Sequence, residues 1–90
     1  MSVEVKLDIY LTKLAKGKKV LNCKPGKISE IIQEITKKYP SFKKEILDEN
    51  GNLKSYIFIL LDEKNINIPG KDLFVKDNQK IKILIPLLGG

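Results

Sequence analysis

Two alternating segments near opposite ends of the chain decide the fold: VEVKLDIYL at residues 3–11 and KIKILI at residues 80–85. In each, apolar side chains recur at every second position, which is the period of a half-buried β-strand. The alternation predicts one strand over each segment, and Pro86 ends the second because proline cannot donate a ladder hydrogen bond. The side chains expected to face inward are Val5, Leu7, Ile9, Ile81, Ile83 and Ile85.

A second strand and one helix are predicted next. Residues 20–23 form a short strand after the turn at Gly17, and we expect it to make an antiparallel hairpin with the first strand. A helix follows and ends before Pro40, because proline disfavours helical geometry in the residue before it. Its apolar positions have helical spacing and are Ile28, Ile31, Ile32, Ile35 and Tyr39.

The second half of the chain is predicted as strands separated by turns. Residues 56–61 are apolar at every position, which indicates a strand. Ile66 and Ile68 alternate with asparagine and indicate a further brief strand. Residues 71–80 are interpreted as a loop that turns at Asp77 and Asn78.

The resulting order, β-β-α-β-(β)-β, belongs to the α+β class. It allows the first and last strands to lie side by side and parallel at the centre of a mixed four- to five-stranded sheet. One main helix would then pack on one face. This is the β-grasp, or ubiquitin-like, arrangement. We expect one domain over residues 1–86, followed by a flexible tail at residues 87–90.

The composition excludes several kinds of active site. The chain has 90 residues and a net charge of +6, and all seventeen of its basic residues are lysine. Without histidine there is no Ser-His or Cys-His relay and no histidine metal site. The single cysteine, Cys23, lies in a predicted strand, where we expect a small buried side chain and not a reactive thiol. No bound cofactor or metal is expected, and no catalytic side chain.

The same composition limits location and partners. The lysines are scattered among eleven acidic residues and there is no arginine, so no specific nucleic-acid site is predicted. The longest apolar run is too short to span a membrane, and the amino-terminal segment lacks a signal-peptide pattern. We therefore expect a cytoplasmic protein without a membrane partner.

The last residues carry the one feature that points to chemistry. Gly89 and Gly90 follow an apolar strand, Pro86 and two leucines, Leu87 and Leu88. Glycine has no Cβ, so a Gly-Gly end is thin enough to enter a narrow channel of a partner enzyme. That enzyme could use ATP to convert the Gly90 carboxylate into an acyl adenylate, which makes Gly90 and Gly89 the predicted reacting end.

This pattern resembles the MoaD/ThiS family of sulfur carriers, which are β-grasp proteins that end in a proline, two small or apolar residues, and Gly-Gly. The resemblance covers nearly the whole chain, and the loop at residues 48–53 is similar to the longer small subunit of molybdopterin synthase (MoaD). The chain departs from the family at Asp62-Glu63, where an Asn-Gly turn is usual. It also departs at Leu73, in place of a frequent threonine, and at Ile85, in place of a first proline.

The resemblance implies a set of partners. An adenylating enzyme of the ubiquitin-activating type would adenylate Gly90, and sulfur from a persulfide protein would displace AMP to leave a thiocarboxylate. In the MoaD branch, the large subunit of molybdopterin synthase takes up the tail, and the sulfur enters molybdopterin. The alternatives are a carrier for thiamine thiazole or tRNA thiolation, a ubiquitin-like modifier joined through Gly90 to lysines, and a simple β-grasp interaction module.

The sheet face away from the helix is the predicted partner surface, because adjacent apolar groups on an open sheet face mark interaction sites. A rim of Lys6, Lys80 and Lys82 could steer an acidic partner to it. The alternative is that a loop at residues 71–76 folds over this face. The strand at residues 56–61 is apolar on both parities, so either Tyr56, Phe58 and Leu60 or Ile57, Ile59 and Leu61 point outward. The partner-binding residues expected on the face and in the tail are Tyr10, Phe58, Leu60, Leu84, Pro86, Leu87 and Leu88.

Overall fold

The first and last strands pair in parallel at the centre of a mixed sheet. The computed structural model describes residues 2–68 and 71–86. In chain order its elements are β1 (Val3–Leu7), α1 (Ile9–Leu14), β2 (Val20–Cys23), β3 (Gly26–Lys27), α2 (Ile28–Lys38), α3 (Ser41–Ile46), β4 (Phe58–Leu61), β5 (Lys64–Asn65), β6 (Phe74–Val75) and β7 (Lys80–Leu84). Five strands form one sheet in the order β2-β1-β7-β4-β5, and β3 pairs with β6 separately.

The sheet topology confirms the β-grasp prediction. β1 runs parallel to β7 and antiparallel to β2, so the predicted hairpin and the predicted central pair are both present. β4 pairs antiparallel with the other side of β7. The five-stranded mixed sheet with helices is an α+β, ubiquitin-like fold.

The core lies between one face of the sheet and helix α2. The side chains of β1 alternate strictly between buried and exposed positions, as their period of two requires. Helix α2 buries the isoleucine stripe predicted from the sequence, and each such side chain stabilises the fold by about 1.5–3 kcal/mol. The isoleucines of this stripe are Ile28, Ile31, Ile32 and Ile35.

The first strand is shorter than predicted, because Asp8 starts helix α1. Oδ1 of Asp8 accepts a hydrogen bond from the Leu11 amide at 2.8 Å, which is the N-cap interaction that favours aspartate before a helix. Ile9 was predicted to face inward but is 80% exposed, and Tyr10 lies on α1 instead of on the sheet. Leu11 stays buried because it shares the inner side of this helical turn with Ala15, four residues later.

Two predictions for residues 64–80 are also wrong. The brief strand lies at β5, before Ile66, because the side chain of Asn67 bonds the Ile57 carbonyl at 2.7 Å and so occupies the place of a further ladder bond. The predicted loop contains strand β6, which pairs with the two residues of β3. A two-residue strand is too short to leave a period in the sequence.

The turn between β4 and β5 is made by two residues with positive φ. Asp62 and Glu63 have φ angles of 51° and 68° and join the paired residues Leu61 and Lys64. Two-residue hairpin turns with positive φ at both positions favour Asn-Gly. Most residues with a Cβ are strained in this left-handed conformation, whereas glycine and asparagine adopt it more readily. Asp62 and Glu63 therefore stand in place of the family's usual Asn-Gly, and the turn keeps its length of two residues.

Candidate functional site

The last strand ends against the side chain of Asp8. The Ile85 amide donates a hydrogen bond to Oδ2 of Asp8 at 2.8 Å, while Oδ1 of the same carboxylate caps helix α1. The Asp8 amide donates in turn to the Ile83 carbonyl at 3.3 Å. One aspartate thus holds the end of β1, the start of α1 and the residue that follows β7.

The parallel pairing explains why these groups meet. Because β1 and β7 run in the same direction, their carboxyl-terminal ends lie at the same edge of the sheet. Pro86, which was predicted to end the strand, follows directly after Ile85 and is partly buried. The predicted tail residues and reacting end lie outside the described residues: Leu87, Leu88, Gly89 and Gly90.

Three of the predicted partner-binding residues come together on the open face of the sheet. Phe58 pairs with Leu84 across β4 and β7, and Leu60 lies two residues further along the same strand. Phe58 is 41% exposed, and the other two side chains are partly exposed. Their strand neighbours Ile59 and Ile83 point into the core, which shows that the alternate residues Phe58 and Leu60 of β4 face outward. We call Phe58, Leu60 and Leu84 the open-face patch.

Tyr10 does not belong to the open-face patch. Its hydroxyl donates a hydrogen bond to Oε1 of Glu45 at 2.9 Å, which joins helix α1 to helix α3. This hydrogen bond to a carboxylate, with a smaller effect of burial, raises the pKa of Tyr10. The side chain therefore holds two helices together instead of lining the sheet.

Charged side chains of both signs surround the open-face patch. A shallow cavity of about 500 Å³ lies beside it. Lys82 pairs with Glu63 at 3.3 Å and Lys80 pairs with Glu4 at 3.7 Å. The predicted rim of lysines is present, but two of its members face carboxylates on the same surface.

The loop at residues 71–76 does not cover this face. Asp72 accepts hydrogen bonds from the amide and the hydroxyl of Ser29, at 2.9 and 2.6 Å, at the start of helix α2. These two bonds lower the pKa of the Asp72 carboxyl. The loop is thus tied to the helical side of the molecule and leaves the open face of the sheet exposed.

Cys23 is a buried strand residue, as expected from the sequence. Its side chain is 4% exposed. Burial, followed by the negative charge of Glu34, raises the pKa of the thiol from 9.0 to about 12. Since the thiolate is the nucleophilic form, this environment makes Cys23 unreactive near neutral pH.

The described residues show no other centre of chemistry. The carboxylate of Asp48 accepts hydrogen bonds from the amides of Asn50 and Asn52, so it closes a turn. Within residues 2–68 and 71–86, no three His, Cys, Asp or Glu side chains form a metal-binding group. None of the helices in this part of the chain is long and apolar enough to cross a membrane.

The dual role of Asp8 was missed from the sequence, although half of its signal was present. An aspartate just before a turn of helix is a common N-cap, but the alternation around it has the period of a strand. The bond to Ile85 joins residues 77 positions apart, and local patterns do not report such contacts.

Replacing Asp8 with alanine tests this junction. Asp8→Ala removes a helix cap and a hydrogen bond to a carboxylate, so we expect the free energy of unfolding to fall by about 2 kcal/mol. Asp8→Asn keeps one oxygen acceptor, so its free energy of unfolding should lie between those of the alanine variant and the wild type. Urea unfolding measures the loss, and faster hydrogen exchange of the Ile85 amide locates it. An alanine variant as stable as the wild type, with unchanged exchange at Ile85, would contradict the role of Asp8.

Comparison with known proteins identifies relatives among solved structures. No protein-family model matches the chain, and no curated protein matches it significantly. The solution structure of the small archaeal modifier protein 1 (SAMP1) from Methanosarcina acetivorans is 31% identical, with a TM-score of 0.83. The match covers 99% of this chain and 96% of that one.

Two further structures show the same fold. The Amycolatopsis orientalis BexX/CysO complex contains a chain with 24% identity and a TM-score of 0.83, and the match covers 98% of this chain and 99% of that one. SAMP1 from Haloferax volcanii is 16% identical, with a TM-score of 0.79 over the full length of both chains. With the full-length match to the 31% identical SAMP1, these findings show that the chain belongs to the MoaD/ThiS family of ubiquitin-like β-grasp proteins.

Proposed function

We propose that this chain is a ubiquitin-like sulfur carrier whose reacting group is the carboxylate of Gly90. The observation that carries the proposal is the full-length similarity to SAMP1 at 31% identity. The proposal takes Gly90 as the carboxyl terminus, as the Gly-Gly pattern of the family implies. A sulfur-carrier or modifier role agrees with the neighbours CysO and SAMP1.

The proposed chemistry takes place on the tail and is catalysed by partners. A carboxylate oxygen of Gly90 attacks the α-phosphate of ATP in an adenylating enzyme, and pyrophosphate leaves. The terminal sulfur of a persulfide then displaces AMP from the acyl carbon. A thiol cleaves the resulting acyl disulfide, which leaves a thiocarboxylate on Gly90. This chain binds no cofactor in the scheme, because the adenylating enzyme holds the ATP.

The junction at Asp8 fits this use of the tail. The Asp8 carboxylate fixes the Ile85 amide, so the position of the base of the tail is set by the folded domain. A partner enzyme that recognises the domain therefore meets the tail at a defined place.

Two finer assignments follow from the sequence. The loop at residues 48–53 resembles the molybdopterin-synthase small subunit, so we propose that the sulfur enters molybdopterin in complex with a large subunit. We propose that this sulfur transfer takes place in the cytoplasm.

The second candidate function is a protein modifier that forms isopeptide bonds through Gly90. The name of the similar SAMP1, a small archaeal modifier protein, favours it. Both candidates use the same adenylate.

We further propose that the adenylating enzyme or the large subunit docks on the open-face patch. Phe58 and Leu84 lie directly opposite one another, and both expose apolar surface. Leu84 lies one residue before Ile85, whose amide is held by Asp8. The patch therefore adjoins the base of the tail, and one partner can contact both.

Changing the length of the chain at Gly90 tests the reacting group. Adding one alanine after Gly90, or deleting Gly90, should reduce ATP–pyrophosphate exchange by the cognate adenylating enzyme to background. The added alanine converts the Gly90 carboxylate into an unreactive amide, and the deletion leaves the terminal carboxylate one residue short of the nucleotide. The same alanine placed before Met1 is the matched control and should leave the exchange unchanged. Circular dichroism checks the fold. Normal adenylate formation on the extended chain would overturn the proposal.

A charge within the patch tests the docking surface. Leu84→Asp should weaken binding of the adenylating enzyme or the large subunit by roughly thirtyfold, which is about 2 kcal/mol. Ile68→Asp introduces the same charge at a 45% exposed position outside the patch and should bind normally. Calorimetry measures the affinity, and Phe58→Asp serves if Leu84→Asp does not fold. Wild-type affinity in a folded patch variant would exclude this face.

A further inference from the structure

Strand β2 forms one edge of the five-stranded sheet, and no strand of the described residues pairs with its outer side. The Leu7 amide donates to the Lys19 carbonyl at 2.9 Å, which makes these two a hydrogen-bonded pair of the antiparallel ladder. Because such pairs alternate along a ladder, Leu21 and Cys23 also bond to β1. The backbone groups of Val20 and Asn22 therefore point away from the sheet.

Helix α2 closes one end of this edge. The amide of Lys24 points outward in the same register and donates to Oε1 of Glu34 at 3.0 Å. Within residues 2–68 and 71–86, no group forms a corresponding bond to the backbone of Val20 or Asn22. Two outward donors and two outward acceptors are thus available in a row, which is what an added strand requires.

A groove runs between this edge and helix α2. It has a volume of about 150 Å³, and Leu21, Ile35 and Tyr39 contribute its apolar lining. Lys18 and Lys38 also line it, and Glu34 is the only carboxylate among its lining residues in the described part of the chain. With two lysines against one carboxylate, the lining carries a net positive charge.

We propose that the β2 edge binds an extended, acidic segment of a partner protein by strand addition. The backbone of the segment pairs with Val20 and Asn22, alternate apolar side chains enter the groove, and flanking carboxylates meet Lys18 and Lys38. A second copy of this chain is a poor occupant, because pairing two β2 edges would bring lysines of both copies together. The site is independent of the Gly90 chemistry.

A labelled peptide with the sequence Asp-Asp-Ile-Val-Ile-Val-Asp-Glu is the probe. Fluorescence anisotropy should show binding to the full chain that weakens as salt rises, because screening reduces the attraction between charges. A peptide with lysine in place of every acidic residue keeps the apolar core and should not bind. Chemical shift changes in the wild-type complex should centre on Val20 and Asn22.

Two pairs of variants separate strand addition from general attraction. Asn22→Pro removes an outward donor without breaking the β1–β2 ladder and should weaken binding at least about tenfold, whereas Asn22→Ala should bind normally. Lys18→Glu with Lys38→Glu should have the same effect as the proline, and Lys64→Glu on the opposite edge should have none. If Asn22→Pro does not fold, the comparison of the Lys18→Glu/Lys38→Glu double variant with Lys64→Glu tests the proposal.

Three results would overturn the proposal. The first is no binding of the acidic peptide at about 1 mM, a concentration that would detect even weak docking. The second is binding that is unchanged in a folded Asn22→Pro variant, or that moves the resonances of Phe58 and Leu84 in place of those of Val20 and Asn22. The third is a dimer of the wild-type chain that Asn22→Pro abolishes, because the edge would then be occupied by a second copy.

Discussion

The parallel pairing of β1 with β7 is the constraint on which the rest of the structure depends. It joins the two ends of the described chain at the centre of the sheet, so that β2 and β4 must pair outside them. It also buries the inward side chains of both strands under helix α2. Because the two strands run in one direction, the end of β1 and the end of β7 meet, and Asp8 can hold both.

Three separate surfaces follow from this arrangement. The base of the tail lies at one edge of the sheet beside Asp8, and the open-face patch lies on the strands next to it. The β2 edge lies on the other side of β1. A carrier that passes from an activating enzyme to an acceptor needs its tail free while other surfaces hold the partner. The fold supplies the open-face patch and the β2 edge for that purpose.

Sequence periodicity predicted the elements whose side chains repeat over several residues. The isoleucine stripe of α2 and the alternation of residues 80–85 both correspond to elements of the fold. Predictions from periodicity were wrong where a polar side chain formed a hydrogen bond with the backbone that ended or replaced the strand. Asp8 starts a helix within an alternating run, and Asn67 bonds the backbone where the strand after β4 would have continued. Both effects arise from single side-chain hydrogen bonds, which leave no repeat.

The candidate site was predictable only where its residues belong to a regularly alternating strand. Alternation placed Leu84 on the open face correctly, whereas Tyr10 was assigned to that face only because the predicted first strand is four residues too long. Strand β4 is apolar at every position, so only its pairing with β7 shows that Phe58 and Leu60 face outward. The junction at Asp8 depends on a contact across the whole chain and lay beyond any local pattern.

The mass of the chain's carboxyl-terminal peptide, isolated from its own cells, tests the central claim most directly. The account predicts that a fraction of the peptide carries sulfur in place of one carboxylate oxygen at Gly90, or that Gly90 is joined to a lysine of another protein. Fragmentation of the peptide places the change on the last residue. The result that would contradict the account is an unmodified carboxylate in every copy, together with no ATP-dependent activation of Gly90 by any adenylating enzyme of the same cell.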